Sequence, residues 1–383
     1  MTDIAHLPPA LAGGPVTRAR ATVALEDGLV LHGRSVGVPG TTLGEMVFTT
    51  AMSGYQEAAT DPSYIGQVLC FAAPMIGNYG AGPGFDESDR VHPHAILMAS
   101  AGDRPGAAGP TGWCTWLRER NVIAVDGLDT RRLVTHLRDR GAMRGGVSTA
   151  LGADELIDRI RAHPVLDGRD LVTGAAGARR QLGTHGPRIV AIDCGMKASI
   201  ATRLADAGCR LEIVPAGTSA ATIMAMAPAA VFSSNGPGDP AAATQVIATL
   251  ADILGKVPVF GICMGHQLLA RALGLATEKL PFGHRGANHP VRRSDDGGVE
   301  ITVQNHGYAV VADRLPDGIV VTRTSLFDGS VEGIAAPDLR AWSVQYHPEA
   351  RPGPHDAGYL FERFVREVTS TDGPGGNTYA PAR

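Results

Sequence analysis

Val257-Pro258-Val259-Phe260-Gly261-Ile262-Cys263-Met264-Gly265-His266-Gln267 runs from an apolar stretch into a cysteine flanked two residues away on each side by glycine. The pattern predicts a buried strand over 257–260, a sharp turn at Cys263 and a helix behind it, the geometry of a nucleophile elbow. A thiol held at a helix N-terminus meets backbone N–H groups and the positive end of the dipole, which favour thiolate. Such a nucleophile needs a base, and Gln345-Tyr346-His347-Pro348-Glu349 supplies one, with His347 placed 84 residues after Cys263. The residues before it, 341–346, are strand-like, and Pro348 stops them. Glu349, two residues past the imidazole, is placed to accept from it and fix its tautomer.

Outward from the elbow, apolar strands over 188–193, 211–214 and 230–233 alternate with helical patterns over 197–207, 219–226 and 241–254. That alternation predicts a parallel sheet with crossover helices, whose ligands bind at the carboxyl ends of the strands. Both Cys263 and the loop Ser234-Asn235-Gly236-Pro237-Gly238-Asp239-Pro240 lie just past such ends. Backbone N–H groups of the two loop glycines and of Met264 are candidate donors to a developing oxyanion. Gln267, one helical turn below Cys263, either reads the amide or amino-acid part of a ligand or is a capped surface glutamine. Asn305 and the backbone of Gly307 and Tyr308, in Gln304-Asn305-His306-Gly307-Tyr308, are candidates for holding a zwitterionic substrate. His284, His289 and His306 lack the H-E-x-x-H or paired Cys/His spacing of a metal site, so no metal is expected. Neither a Walker A sequence nor a G-x-G-x-x-G opens a helix, so no ATP or dinucleotide chemistry is expected in this chain.

The 383 residues suffice for two or three domains. A Gly/Ala-rich stretch over 167–187 is read as the linker between them. Before it, segments 22–25 and 29–32 flank Glu26-Asp27-Gly28 as a hairpin, and short strands follow over 45–49 and 67–72. Helices are expected only later, over 130–140 with Asp129 as cap and Gly141 as stop, and over 154–162. Met52-Ser53-Gly54-Tyr55-Gln56-Glu57 and Thr60-Asp61-Pro62-Ser63-Tyr64 read by physics alone as loop. Residues 1–20 read as a flexible arm without the apolar core of a secretory signal, and 371–383 as a flexible tail. A net charge of −4 gives no footprint for nucleic acid, and the longest apolar stretch, 220–232, is too short and too interrupted to span a membrane. Five scattered cysteines without C-x-x-C spacing point away from disulfides and toward a reducing cytoplasm.

Taken together, G-I-C-M-G-H-Q, S-N-G-P-G-D-P and Q-Y-H-P-E resemble the class I, or triad, glutamine amidotransferases over residues 188–370. The remaining motifs, T-A-M-S-G-Y-Q-E, T-D-P-S-Y-I-G-Q, D-T-R-R-L, G-A-M-R-G-G and F-G-H-R-G-A-N-H-P-V, are similar to carbamoyl phosphate synthase small subunits. The resemblance implies an α/β protein: an N-terminal mixed α+β domain over 21–166 that contacts a large subunit, then an amidotransferase domain with a mostly parallel central sheet. It also implies a glutaminase that hydrolyses L-glutamine and passes ammonia to a large subunit making carbamoyl phosphate for arginine and pyrimidine biosynthesis. ATP and Mg would belong to that large subunit. Catalysis would fall to Cys263, His347 and Glu349, with oxyanion donors at Gly236 and Met264. Ser63, Gly236, Gly238, Gln267, Asn305, Gly307 and Tyr308 would contact glutamine. Arg351, where the family has a small residue, and the Ala/Gly/Pro-rich segment 95–112 depart from the pattern. Two other readings remain open from sequence: an amidotransferase serving a different synthase, and a catalytically silent regulatory subunit.

Overall fold

The computed structural model describes residues 19–369. Most of the expected arm over 1–20 and all of the expected tail over 371–383 lie outside the described residues.

Seven strands close into a barrel: β1 (Arg20–Leu25), β2 (Val30–Ser35), β3 (Thr41–Thr49), β4 (Gln67–Phe71), β5 (Ala95–Leu97), β6 (Ile123–Asp126) and β7 (Met143–Ser148). The spatial order is β1-β2-β6-β5-β4-β3-β7, with β7 returning to β1. The β1–β2 hairpin turns at Glu26-Asp27-Gly28, where Gly28 supplies φ +99°. Side chains alternate along each strand. In β4, Val68 and Cys70 join a cluster fed by all seven strands, whereas Leu69 and Phe71 face a second cluster containing Trp113 and Trp116.

Four helices attend the barrel: α1 (Tyr55–Thr60), α2 (Trp113–Glu119), α3 (Thr130–Arg140) and α4 (Ala153–Ala162). The Asp129 carboxylate caps α3 through the Arg132 N–H, and Gly141 ends it at φ +94°. The structure corrects the expectation that helices come only late in this half. The stretch read as loop folds into α1 and a 3-10 turn over Pro62–Tyr64, and α2 follows the Gly/Pro-rich run. Six or seven residues are too few for a 3.6-residue period to declare itself. Segment 95–112 supplies β5 and then a loop whose glycines allow close backbone approach; a Cβ on Gly106 would lie 2.4 Å from the Tyr79 carbonyl carbon.

The stretch read as a linker is built into the fold. It holds α5 (Val172–Ala175) and β8 (Arg180–Leu182), and β8 pairs antiparallel with the edge strand of the second sheet. Nine further strands complete that sheet: β9 (Arg188–Asp193), β10 (Arg210–Pro215), β11 (Ala230–Ser233), β12 (Val259–Ile262), β13 (Ala276–Arg293), β14 (Val299–Val311), β15 (Val320–Ser325), β16 (Val331–Ala336) and β17 (Ala341–Val344). The order is β14-β13-β15-β16-β17-β12-β11-β9-β10-β8. The five central strands β10-β9-β11-β12-β17 are mutually parallel, and antiparallel strands extend both sides.

Five helices follow in this half: α6 (Ala198–Asp206), α7 (Ala220–Ala225), α8 (Thr244–Ile253), α9 (Met264–Ala272) and α10 (Tyr359–Thr369). The helix expected over 241–254 is divided, a 3-10 turn over Pro240–Ala242 preceding α8. Alternation places Val190, Ile192, Val231 and Val259 against α8 and α9. Ile189, Ala191, Phe232 and Phe260 face α6 and α10. A sheet buried on both faces reads in sequence as continuous apolar runs, which is why these strands were legible.

Gly261 and Gly265 let the sheet turn tightly into α9. A Cβ on Gly265 would lie 2.0 Å from the Ser233 carbonyl oxygen, whereas one on Gly174 would meet nothing within 4 Å. Gly265→Ala should therefore cost about 2–3 kcal/mol, read as a lower urea midpoint. Gly174→Ala should leave that midpoint unchanged or slightly raised.

Candidate active site

β12 ends at Ile262, and Cys263 takes φ 54° and ψ −106° before the first helical residue, Met264. A side-chain-bearing residue at positive φ is strained and persists only where its surroundings hold it. Here β11 and β17 do so. Ser233 of β11 packs against Gly265, and the Cys263 N–H donates to the Val344 carbonyl of β17 at 2.9 Å. Gly261 is equally constrained, since a Cβ there would lie 2.5 Å from the Gly265 carbonyl oxygen. The Met264 N–H falls in the first turn of α9, where a helix has no acceptor of its own to offer.

His347 follows β17, its backbone N–H donating to Val303 at 2.9 Å. Its Nδ1 lies 2.7 Å from Glu349 Oε1, and the imidazole interacts with Cys263 as well. Burial opposes charge on this imidazole, but Glu349 and Cys263 outweigh it and raise the pKa to about 10. Burial would push the Glu349 carboxyl up; Lys197 and His347 instead hold it well below the usual carboxylate range.

Lys197 was not singled out by sequence. It stands just before α6, and its Nζ donates to Glu349 Oε1 at 2.8 Å and to the Arg351 carbonyl at 3.0 Å, with Glu87 Oε1 at 3.6 Å. Glu87 comes from the N-terminal half and is fixed by the Ser199 N–H and hydroxyl, both at 2.9 Å. Arg351, the departure after the base, donates to the Gly84 carbonyl and sits over the Phe85 ring. Its side chain therefore bridges the two halves of this chain.

Beside Cys263 lies a cavity that opens to solvent. Ser63, Gly236, Gly238, Met264, Gln267, Asn305, Gly307 and Tyr308 all line it, together with Cys263. Ser63 reaches in from the 3-10 turn after α1, its N–H held by Asp61 Oδ1 at 2.9 Å and its hydroxyl accepting from Asn235 Nδ2 at 3.1 Å. The other Asp61 oxygen accepts from Asn305 Nδ2 at 2.9 Å. Gln267 is buried, which removes the surface-cap alternative. Its Nε2 donates to the Tyr308 carbonyl at 2.7 Å and to Gln345 Oε1 at 3.0 Å.

Glu45, Gln67, Lys279 and Arg285 also line the cavity and were missed. Lys279 Nζ pairs with Glu45 and with Asp167, both at 2.6 Å, and the Tyr308 hydroxyl donates to Asp167 at 2.8 Å. These residues come from β3, β4, β13 and the inter-domain stretch, so no local spacing groups them. All five cysteines are free, and no described helix is long and apolar enough to cross a membrane.

Residues 190–367 match the glutamine amidotransferase class-I family, and residues 23–147 match the CPSase domain of the carbamoyl-phosphate synthase small chain. The chain is 44% identical over 364 residues to a carbamoyl phosphate synthase small chain of Syntrophotalea carbinolica, covering 90% of this chain and 97% of that one. It is 43% identical over 370 residues to the Akkermansia muciniphila small chain, covering 92% and 98%. A Synechococcus small chain is 44% identical over 366 residues, covering 91% and 93%. A buried cysteine, histidine and glutamate beside a polar cavity thus occur in a chain that belongs to the carbamoyl phosphate synthase small-chain family, with a class-I glutamine amidotransferase domain in its C-terminal half.

Proposed function

We propose that this chain hydrolyses L-glutamine through a Cys263 thioester and delivers ammonia to a large subunit that makes carbamoyl phosphate for arginine and pyrimidine biosynthesis. The observation that carries the reading is the chain Cys263, His347, Glu349, Lys197, buried past the carboxyl ends of the parallel strands β12, β17 and β9, with Cys263 lining a cavity. The Cys263 sulfur attacks the side-chain amide carbon, and the oxyanion that forms takes N–H donors from Met264 and Gly236. His347, protonated at neutral pH, gives its Nε2 proton to the leaving amine, and ammonia departs. The same nitrogen then takes a proton from water, which attacks the glutamyl thioester; collapse expels thiolate and releases glutamate. Glu349 keeps the imidazole in the required tautomer throughout. Ser63, Gly238, Gln267, Asn305, Gly307 and Tyr308 hold the zwitterionic end of glutamine. ATP and Mg act on the large subunit.

Ammonia release from glutamine, measured for the chain alone and with a carbamoyl phosphate synthase large subunit and ATP, tests the reading. Cys263→Ser should lower release by at least about 10³-fold while leaving synthesis from free ammonia intact. Loss of both activities together would contradict the division of labour. Release that ignores the large subunit would assign the ammonia to another synthase, and no release at all would leave a silent subunit.

The buried charges carry a pH signature of their own. Glu349 is held below its unfolded value, so its stabilisation is full above about pH 4.3 and is lost as pH falls through the folded value. Lys197 is raised, so its contribution is present at neutral pH and is lost only at strongly alkaline pH. Lys197→Met leaves the buried Glu349 with His347 as its remaining cationic partner. It should cost roughly 3–5 kcal/mol and move the acid limb of stability to higher pH, as read by urea unfolding across the acid-to-neutral range. An unmoved acid limb would show that Glu349 does not depend on Lys197.

A further inference from the structure

Three buried side chains converge from three strands, His284 of β13, His306 of β14 and Glu332 of β16, and His306 also lines the cavity beside Cys263. One ligand atom from each lies within 4.8 Å of the other two. His284 Nδ1, His306 Nε2 and Glu332 Oε1 are all buried without a hydrogen-bond partner. Three orphaned buried polar atoms facing one another are costly unless something joins them.

The far side of each group is already fixed. His284 Nε2 lies 2.8 Å from Asp328 Oδ2, His306 Nδ1 lies 2.8 Å from the Tyr308 carbonyl, and the second Glu332 oxygen accepts from Gln304 Nε2 at 2.8 Å. A carbonyl can only accept, so the His306 proton sits on Nδ1 and leaves a lone pair on Nε2. In a neutral His284 the Asp328 carboxylate holds the proton on Nε2, which leaves the lone pair on Nδ1 for a metal ion. Imidazoles oriented in this way by a carboxylate and a backbone carbonyl are the arrangement that prepares histidines for a metal ion. His284 Nδ1 and Glu332 Oε1 are 3.6 Å apart, too long for a hydrogen bond and close to the roughly 3.3 Å edge of a tetrahedron with ~2.0 Å metal bonds.

We propose that His284, His306 and Glu332 form a three-ligand site for a divalent transition-metal ion of the zinc type, its fourth position open to water. Two neutral imidazoles and one carboxylate are a donor set that favours such an ion over magnesium or calcium. Linear spacing hides the site, because its ligands are brought together by strand pairing: His284 lies opposite His306 in the β13–β14 register. Asp328, which orients His284, and its neighbour Phe327 are exposed to solvent. The ion would brace the substrate cavity indirectly, since the Tyr308 carbonyl accepts from both His306 and Gln267.

Binding of ZnCl2 and CoCl2 to the untagged full chain, stripped with chelator, tests this by calorimetry and by metal analysis after dialysis. The Cys263→Ser background removes the thiol as a competing ligand. One equivalent should bind and raise the unfolding temperature, and bound cobalt should show the intense visible bands of a tetrahedral site. His284→Gln and Glu332→Gln should each weaken binding at least 100-fold. Asp328→Asn, at a more exposed position, should weaken it about 10-fold and serves if either ligand variant fails to fold. Absence of saturable binding in the Cys263→Ser chain would overturn the proposal, leaving His284 as a protonated group between Asp328 and Glu332. Binding that all three variants leave unchanged would overturn it equally.

Discussion

The buried charge chain around Glu349 is the constraint on which the site depends. A carboxylate withdrawn from water is tolerated only with close counter-charge, and Glu349 has two partners on one oxygen, His347 and Lys197. Lys197 in turn needs more than one anion, and Glu87 provides the second. Glu87 belongs to the N-terminal half, so that half contributes directly to the charge network of the catalytic residues. The same holds for the substrate side, where Asp61 orients both Ser63 and Asn305 across the junction. Base and binding residues are thus both held by contacts that cross the junction.

The elbow applies the other kind of constraint. Cys263 is held at positive φ by backbone contacts that leave no room for a Cβ at Gly261 or Gly265. Strain of this kind, of order 1–3 kcal/mol, is offset by a doubly covered sheet in which Phe260 lies 4.0 Å from Trp342 and 5.2 Å from Phe364, centroid to centroid. The parallel core thus serves catalysis by making the strained turn affordable and by aligning four strand ends. Lys197 follows β9, Gly236 follows β11, Cys263 follows β12 and His347 follows β17.

What sequence revealed follows the same physical lines. The elbow was legible because strand, glycine, cysteine and glycine are contiguous, and the doubly buried strands because they are unbroken apolar runs. Helix α3 was legible from Asp129 and Gly141, which are chemical punctuation. Helices α1 and α2 were hidden because they are short and sit among turn residues. Residues 167–187 resembled a linker in composition, yet edge pairing of β8 with β10 organises part of that stretch. Lys197, Glu87, Lys279 and Glu45 were invisible for a different reason: each matters through a partner far away in the chain, and a charged residue carries no local mark of the charge it will meet.

Arg351 illustrates how such a partner changes the meaning of a substitution. In sequence it is a departure from a small residue in the loop after the base, one that bears on contact with a large subunit more than on the thiol chemistry. In the fold its guanidinium turns inward along the junction, to the Gly84 carbonyl and the Phe85 ring, while its own carbonyl accepts from Lys197. Main chain and side chain of one residue therefore tie the base loop to the charge chain and to the N-terminal half. A long cation is accommodated because the junction it spans already holds the buried anion Glu87, 3.9 Å from its Nε. The loop that carries His347 and Glu349 is thereby anchored at the point where the two halves meet, so movement of one half against the other would be felt first at the catalytic base.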